Sequence, residues 1–318
     1  LEIGITSSIR GKVHDEGSFT LPGKLLLDFI QTLPEGTVTF EQKDNDIVIT
    51  CGKHMGKLRG VPADDFPLIP KMEEGKPCLI PLQEFLNSLQ SVASAIALNE
   101  TRPEISGCLF RFSGKEFTLV GTDSFRLSEK KLSLTNNPYT GKNVIIPIRT
   151  VQELIKMLSS AMKGLDSPET VTIAISDSQI LFSLDSIELL SRIIEGTYPD
   201  YTQIIPSSFV TKVSLSKHDL LQAVKSVSLF AEAGISDVTL SGKKKSLVIE
   251  SGGGQSGEGS AEIDASITGD SFNLTLNSRY LHDALMTMSN EELTLSVNSA
   301  DTPCMLTPED ATVKYLYI

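Results

Sequence analysis

The sequence predicts an α+β protein made of three similar modules in tandem. Three observations carry this reading. One segment recurs about every 125 to 135 residues: Pro22-Gly-Lys-Leu-Leu-Leu-Asp-Phe-Ile30, Pro147-Ile-Arg-Thr-Val-Gln-Glu-Leu-Ile155 and Asn277-Ser-Arg-Tyr-Leu-His-Asp-Ala-Leu285. Helical periodicity is confined to five stretches. The remainder alternates apolar and polar residues as strands do, and helices and strands do not alternate one for one. This argues against a doubly wound parallel sheet and for a few helices on antiparallel strands.

Along the chain, residues 23–33 form the first predicted helix, with Leu26, Ile30 and Leu33 on its apolar side. Strands follow at Thr37–Phe40 and Ile47–Cys51. Residues 81–98 place Leu82, Phe85, Leu86, Leu89, Val92, Ala93 and Ile96 on one stripe, opposite Gln83, Asn87, Ser88, Gln90, Ser91 and Ser94. Strands follow at Leu109–Phe112 and Phe117–Gly121. Residues 148–163 bury Val151, Leu154, Ile155 and Leu158 and turn Arg149, Lys156 and Lys163 outward. Three strands come next, at Val171–Ile175, Ile180–Leu184 and Leu189–Ile194. The helix over 217–231 opens on Ser216, with Asp219 three positions on, the spacing of a capping box. Strands at Val238–Leu240, Leu247–Glu250 and Phe272–Leu276 lead to a last helix over 278–289. Leu293–Val297 and Tyr315–Ile318 close the chain as strands.

Each copy of the recurring segment carries a base third (Lys24, Arg149, Arg279) and an acid four residues later (Asp28, Glu153, Asp283). Intrahelical ion pairs explain the acids, in the weaker base-first order. A second unit, Pro81-Leu-Gln-Glu-Phe-Leu86, returns as Ser216-Lys-His-Asp-Leu-Leu221 at an offset of 135. It heads the second and third modules only. Leu1-Glu-Ile3 aligns best just after Thr122-Asp123, so the first module is expected to lack roughly one helix and two or three strands. Gly60-Val-Pro-Ala-Asp-Asp-Phe-Pro-Leu-Ile-Pro70 and Gly196-Thr-Tyr-Pro-Asp-Tyr-Thr-Gln-Ile-Ile-Pro206 read as linkers. The expected domains are 1–70, 71–205 and 206–318, the first incomplete at its start.

The length of 318 residues calls for two or three domains. No run of about 18 apolar residues occurs, so no spanning helix is expected. Cys51, Cys78, Cys108 and Cys304 are scattered, which fits reduced thiols in the cytoplasm rather than zinc or a disulfide framework. The net charge of −12 argues, by itself, against nucleic acid. The glycine-rich run Gly252-Gly-Gly-Gln-Ser-Gly-Glu-Gly259 lacks the Lys-Ser/Thr of a phosphate loop and reads as a flexible hairpin loop. His14, His54, His218 and His282 have no second ligand at metal spacing. No nucleophile elbow and no paired carboxylates point to catalysis. No enzyme, metal or cofactor is expected.

Three further segments identify a family. Gly121-Thr-Asp-Ser-Phe-Arg-Leu127, Gly196-Thr-Tyr-Pro-Asp-Tyr201 and Thr307-Pro-Glu-Asp310 with Tyr315-Leu-Tyr-Ile318, on top of the threefold repeat, resemble the bacterial DNA polymerase III β subunit, the replicative sliding clamp. The resemblance covers the whole chain. It implies three domains per subunit in the DNA clamp fold and a head-to-tail homodimer. Helices would line the hole of the ring and antiparallel sheets would form its outer wall. It also implies duplex DNA as partner, and polymerase, clamp loader and repair proteins as partners through short peptides. No cofactor and no membrane are involved. Read alone, the exposed bases are solvated helix faces. The resemblance makes Lys24, Arg149, Lys156, Lys163, Lys217, Lys225 and Arg279 a mildly basic lining that touches phosphates without reading bases.

The resemblance also places a peptide pocket between the second and third domains. Ile105, Thr122, Ser124, Phe125, Arg126 and Leu127 would come from the second domain, and Pro199, Gln203 and Ile204 from the linker. Ile235, Asn277, Tyr280, Pro303 and Ile318 would come from the third. Plain core packing is the other reading for Leu127, Ile204 and Ile235. Ser124 stands for a usual glycine, Phe125 for His or Tyr and Gln203 for a base, and the family's C-terminal tail is absent. Ring closure falls on Leu58 against Leu229 and Phe230, with Gly56 where a bulky residue is usual. The rival readings are an acidic peptide-binding scaffold that never encloses DNA and a hydrolase using scattered carboxylates.

Overall fold

The computed structural model describes residues 2–67, 72, 75–98, 101–163, 168–232, 234, 236–254, 257–309 and 313–317. The chain forms two compact units: residues 8–71, and residues 2–7 with 72–318. In chain order the elements begin with β1 (Ile3–Ser7), β2 (Phe19–Thr20), α1 (Gly23–Gln31), β3 (Val38–Lys43), β4 (Asp46–Cys51), β5 (His54–Arg59) and β6 (Val61–Pro62). Next come β7 (Cys78–Pro81), α2 (Leu82–Ala93), β8 (Gly107–Ser113), β9 (Glu116–Thr122), β10 (Arg126–Ser133), β11 (Asn143–Pro147), α3 (Ile148–Ala161), β12 (Thr170–Ile175), β13 (Gln179–Leu184) and β14 (Ile187–Arg192). The same order then repeats as β15 (Thr211–Ser216), α4 (Lys217–Val227), β16 (Asp237–Lys243), β17 (Ser246–Gly254), β18 (Gly257–Thr268), β19 (Phe272–Asn277), α5 (Ser278–Thr287), β20 (Glu292–Val297), β21 (Cys304–Pro308) and β22 (Val313–Tyr317).

The helices begin where the sequence places them and for identifiable reasons. Pro22, Pro81 and Pro147 stand directly before α1, α2 and α3, each with extended ψ. Proline lacks only an amide that a helix start leaves unbonded anyway. α4 and α5 use side-chain caps instead. Ser216 Oγ accepts from Asp219 N, and Asn277 Oδ1 accepts from Arg279 N and Tyr280 N. All five helices stop short of their expected C-termini. α2 ends at Ala93 because the Ala97 amide is taken by the Thr122 and Ile105 carbonyls, which turns the chain back to the sheet. α4 ends at Val227 and continues as a 3-10 turn, Ser228–Phe230.

All described ladders are antiparallel. One sheet runs β1-β14-β13-β12-β7, and a twelve-stranded sheet runs β11-β8-β9-β10-β22-β21-β20-β15-β18-β17-β16-β19. The 8–71 unit holds β3-β4-β5 and β2-β6. Ten strands were not expected: β1, β2, β5, β6, β7, β10, β11, β15, β18 and β21. The glycine-rich run is also not a loop throughout. Gly252 pairs with Glu258 and Ser251 with Gly259, so β17 and β18 extend into it on both sides.

Two seams share one geometry. β10 pairs with β22 from Arg126↔Tyr317 to Lys130↔Val313. β1 pairs with β14 from Ile3↔Ser191 to Ser7↔Ile187. Each overlaps by five residues and joins the outer strand of one module to the last strand of the next. β1 thus plays the part of β10, which fits the alignment of Leu1-Glu-Ile3 just after Thr122-Asp123.

Cores form where helices close on these sheets. Phe85, Phe110, Phe117 and Phe182 gather under α2, with Phe110 and Phe117 edge to face at 5.1 Å. Rings so placed add to the burial energy beyond their area. A second core joins Val213, Leu220, Val224, Leu281, Leu285 and Tyr315. In the 8–71 unit Ile47, Ile49 and Leu58 pack under α1. Leu58 was expected at a subunit interface. Its side chain is only 4% exposed in the single chain and packs in this core, because it lies on the inward face of β5 opposite Ile47.

Candidate functional site

The site begins with a turn. Thr122 Oγ1 donates to the Arg126 carbonyl at 2.7 Å, and Asp123 Oδ1 accepts from the amides of Phe125 and Arg126 at 3.0 Å. An aspartate that bonds its own following amides makes such a turn without help from the sheet. Ser124 sits at φ 81°, in the left-handed region that favours glycine, and its Oγ accepts from Arg102 Nη1 at 2.9 Å. The turn leaves Phe125 64% exposed at its tip and swings Arg126 inward.

Arg126 welds two modules together. Its Nε donates to Asp123 Oδ2 at 2.9 Å. Its Nη1 donates to Asp283 Oδ2 at 2.8 Å and to Tyr315 Oη at 3.2 Å, and the guanidinium stands 4.1 Å from the centre of the Tyr280 ring. Burial works against the guanidinium charge, but Tyr315, Asp283 and Asp123 outweigh it and raise the Arg126 pKa. Burial pushes the Tyr315 phenol up to about 12 against the opposing pull of Arg126. The pair is therefore a charged guanidinium and a neutral phenol at neutral pH. Asp283 was expected to pair with Arg279 along its own helix. It pairs across the seam instead. Glu153 bonds Lys156 at 2.8 Å.

On the other face of the seam, Leu127 joins Leu109, Val120, Ile145, Tyr198, Tyr201 and Leu316. Glu129 is buried there. It accepts from Tyr201 Oη at 2.8 Å and lies 3.4 Å from Lys314 Nζ. Burial, with Glu129 beside it, drives the Tyr201 phenol pKa upward. The linker at 196–206 is thus not a loose tether, since Tyr198 and Tyr201 are both pinned into the sheet. Beside them opens a groove of about 430 Å³, lined by Leu109, Arg111, Asn143, Ile145 and residues 196–201. Of the expected pocket residues only Pro199 borders it.

Arg126, Leu127, Tyr280 and the turn at Thr122 lie at the β10–β22 seam. Ile105, Thr122 and Leu127 are buried. Phe125, Ser124, Pro199, Gln203 and Ile204 are exposed, and Asn277, Tyr280 and Pro303 half-buried. Gln203 Nε2 is tied to Asp200 at 2.8 Å. Ile235 and Ile318 lie outside the described residues. Sequence reasoning missed Asp123, Glu129, Tyr201 and Lys314. Apart from Asp123, the partners of Arg126 and Glu129 lie far away in sequence, where no local spacing announces them.

The expected basic residues sit on a row of helices. α3 packs on α2, α2 on α5 and α5 on α4. Arg149, Lys156 and Lys163 recur every seven residues along α3 and just beyond it, all exposed. Arg279 and Lys225 are exposed on α5 and α4, as is Lys24 on α1 in the other unit. Lys217 is not available in the same way. Its Nζ donates to the Met288 carbonyl at 2.8 Å, at the end of α5. The exposed face of α2 carries no base: it presents Gln83, Glu84, Asn87 and Gln90, with Gln83 bonded to Asn87. Among the described residues no cluster of His, Cys, Asp or Glu suits a metal ion, and no helix is long and apolar enough to cross a membrane.

Comparison with known proteins places these features. Models of the DNA polymerase III beta subunit match in sequence order: its N-terminal domain over residues 1–70, its central domain over 79–200 and its C-terminal domain over 202–318. The beta sliding clamp of Bacillus subtilis is 30% identical over 96% of this chain and 81% of its own length. That of Synechocystis is 29% identical over 97% and 83%. The crystal structure of the Bacillus subtilis sliding clamp superposes with a TM-score of 0.89 over all of this chain and 85% of that one. A sliding clamp from Bartonella birtlesii bound to griselimycin is 27% identical and superposes at 0.92, over all of this chain and 86% of that one. With the threefold repeat, the seam geometry and these matches in hand, the chain belongs to the DNA polymerase III beta subunit family, the sliding clamps of bacterial replication.

Proposed function

We propose that this protein is a processivity clamp. Two copies close head to tail around duplex DNA, and the ring tethers the replicative polymerase by topology rather than by affinity. The helix row α3-α2-α5-α4, with its exposed bases on a partly neutral surface, supports the reading most directly. Exposed lysines and arginines meet phosphates through a screened, non-specific attraction. Neutral Gln83, Asn87 and Gln90 between them keep that attraction weak enough for sliding. The charge of −12 then belongs mainly to the other surfaces.

The seam at Arg126 serves the second task, recruitment. Exposed Phe125 and Ser124, half-buried Tyr280 and Asn277, and Pro199, Gln203 and Ile204 of the linker offer apolar surface with a few fixed polar groups. That is the chemistry that holds an aromatic-aliphatic peptide. Polymerase, clamp loader and repair proteins would compete for it, in the cytoplasm where replication runs. Arg126 itself is fully engaged by Asp123, Asp283 and Tyr315, so it holds the walls together rather than greeting the ligand. No step of chemistry is assigned to the protein.

Retention on DNA tests the central reading. The loaded protein should stay on closed circular DNA and run off the same DNA once it is linearised. Equal retention on both forms would favour the acidic peptide-binding scaffold that never encloses DNA.

A further inference from the structure

The groove beside Tyr198 and Tyr201 shares only Pro199 with the recruitment surface. It measures about 430 Å³, a size that takes a peptide side chain or a small ligand. β8 and β11 make its floor and residues 196–201 its wall. We infer that it receives an acidic side chain of a recruited peptide, which crosses the linker from its aromatic-aliphatic anchor at the Arg126 seam. The inference rests on the recruitment reading above and adds a second, charged contact to it.

The linker builds the groove by leaving the sheet and coming back. Ile194, just past β14, donates its amide to the Ile145 carbonyl at 2.9 Å and holds the chain against the edge of β11. Gly196 then takes φ 138°, in the region that favours glycine, and the linker departs. Tyr198 Oη donates to the Val120 carbonyl at 3.4 Å and Tyr201 Oη to Glu129 at 2.8 Å, so the return falls on β9 and β10. The space between departure and return is the groove. Leu109 and Ile145, opposed in register, give it an apolar floor. Its walls are fixed before any ligand arrives, which lowers the cost of binding.

The polar groups around it decide the ligand. Asp200 is already committed: it accepts from Thr202 N at 3.2 Å, Thr202 Oγ1 at 2.6 Å and Gln203 Nε2 at 2.8 Å. The Thr202 hydroxyl, then the Gln203 amide, hold its carboxyl below the usual range, and Arg111 is a lesser cause. Glu116, the other acid that feels Arg111, is bonded by Lys131 Nζ at 3.0 and 3.1 Å. Arg111 itself lies 5.5 Å from the centre of the Tyr201 ring, and among the described residues no carboxylate comes within ion-pair distance of it. Stacking holds the guanidinium in place and leaves a planar row of donors that suits a carboxylate. Asn143 stands opposite Arg111 in the β8–β11 ladder, exposed, with an amide that can donate beside it. The complement of two donors over an apolar floor is a negative acceptor. Continuity with the seam makes that acceptor part of a peptide, because Pro199 walls the groove and belongs to the recruitment surface. Arg111↔Thr118 and Thr118↔Lys131 set Arg111 level with Lys131, four residues along β10 from Leu127 and on the same sheet face. Two strand spacings of about 4.8 Å and four residues of about 3.4 Å separate Leu127 from Arg111 by about 17 Å, the reach of about five extended residues.

Fluorescence anisotropy with two labelled peptides tests this on the intact protein. Both carry a Leu-Phe anchor in a Gly-Ser chain. One has Glu, the other Gln, at the fifth residue from the anchor on each side. The Glu peptide should bind about three- to tenfold tighter, and the gain should shrink as salt rises. Arg111→Gln should abolish the gain and leave the affinity for the Gln peptide within about twofold, and Asn143→Ala should remove part of the gain. Phe125→Ala should weaken both peptides alike. The comparison of the two peptides needs no variant, so it decides even where Arg111→Gln loosens the Tyr201 ring. A Glu peptide no tighter than the Gln peptide, or a gain that survives both Arg111→Gln and Asn143→Ala, overturns the groove contact and leaves the recruitment reading standing. Failure of both peptides to bind overturns the recruitment reading and this inference with it.

Discussion

The β10–β22 seam and the helix row belong to the same unit, yet they use charge in opposite ways. At the seam the two buried charges are matched: Arg126 to Asp123 and Asp283, and Glu129 to Tyr201 and Lys314. On the helices Arg149, Lys156, Lys163, Lys225 and Arg279 are exposed, and Lys156 pairs with a neighbouring glutamate on its own helix. Buried, bonded charge fixes geometry, because losing one partner strands the other in a poor dielectric. Exposed charge is screened and costs little to rearrange. The seam is built to stay closed, and the helix row to touch many phosphates briefly.

The largest expected effect breaks the seam. Arg126→Ala should lower unfolding stability by about 3–5 kcal/mol, because it leaves Asp123 and Asp283 without their shared cation. Urea unfolding measures this, and binding of a clamp-recruiting peptide should fall with it. A loss below about 1 kcal/mol would show that the seam does not depend on this cation. Glu129→Gln comes next. It keeps the shape but removes the charge facing Lys314, and about 1–3 kcal/mol is expected, with weaker peptide binding as the linker at Tyr201 loosens.

The third experiment acts on the helices. Replacing Arg149, Lys156 and Lys163 together by Ala should leave the unfolding transition within about 0.5 kcal/mol of the parent. The slope of log binding against log salt on DNA should fall by up to about 3 units. An unchanged slope would remove these residues from the DNA face. Lys217→Met sharpens the contrast with the smallest effect. Its amine already serves the Met288 carbonyl, so a loss of about 0.5–1.5 kcal/mol of stability is expected with no change in salt slope.

Much of this contrast was legible in the sequence. The repeat and helical periodicity marked all five helices, and the spacing of Ser216 to Asp219 marked its cap. The strands of the seams were harder. β10 reads Arg-Leu-Ser-Glu-Lys-Lys-Leu-Ser, and Arg126, Ser128 and Glu129 are buried by tertiary partners, which no local pattern announces. β18 alternates with glycine and alanine, so its inward face looks like a loop. β7, β11 and β21 are short and end at proline. The partner of Arg126 lies 157 residues away, and helical spacing offered a nearer and incorrect one for Asp283. Tertiary pairing decided these positions over local spacing.

Electron-microscope images of the protein in solution test the account most directly. Grip by encirclement requires closed two-subunit rings with a central opening wide enough for a double helix and with the α-helices facing it. Open arcs, or compact particles with no such opening, would contradict it.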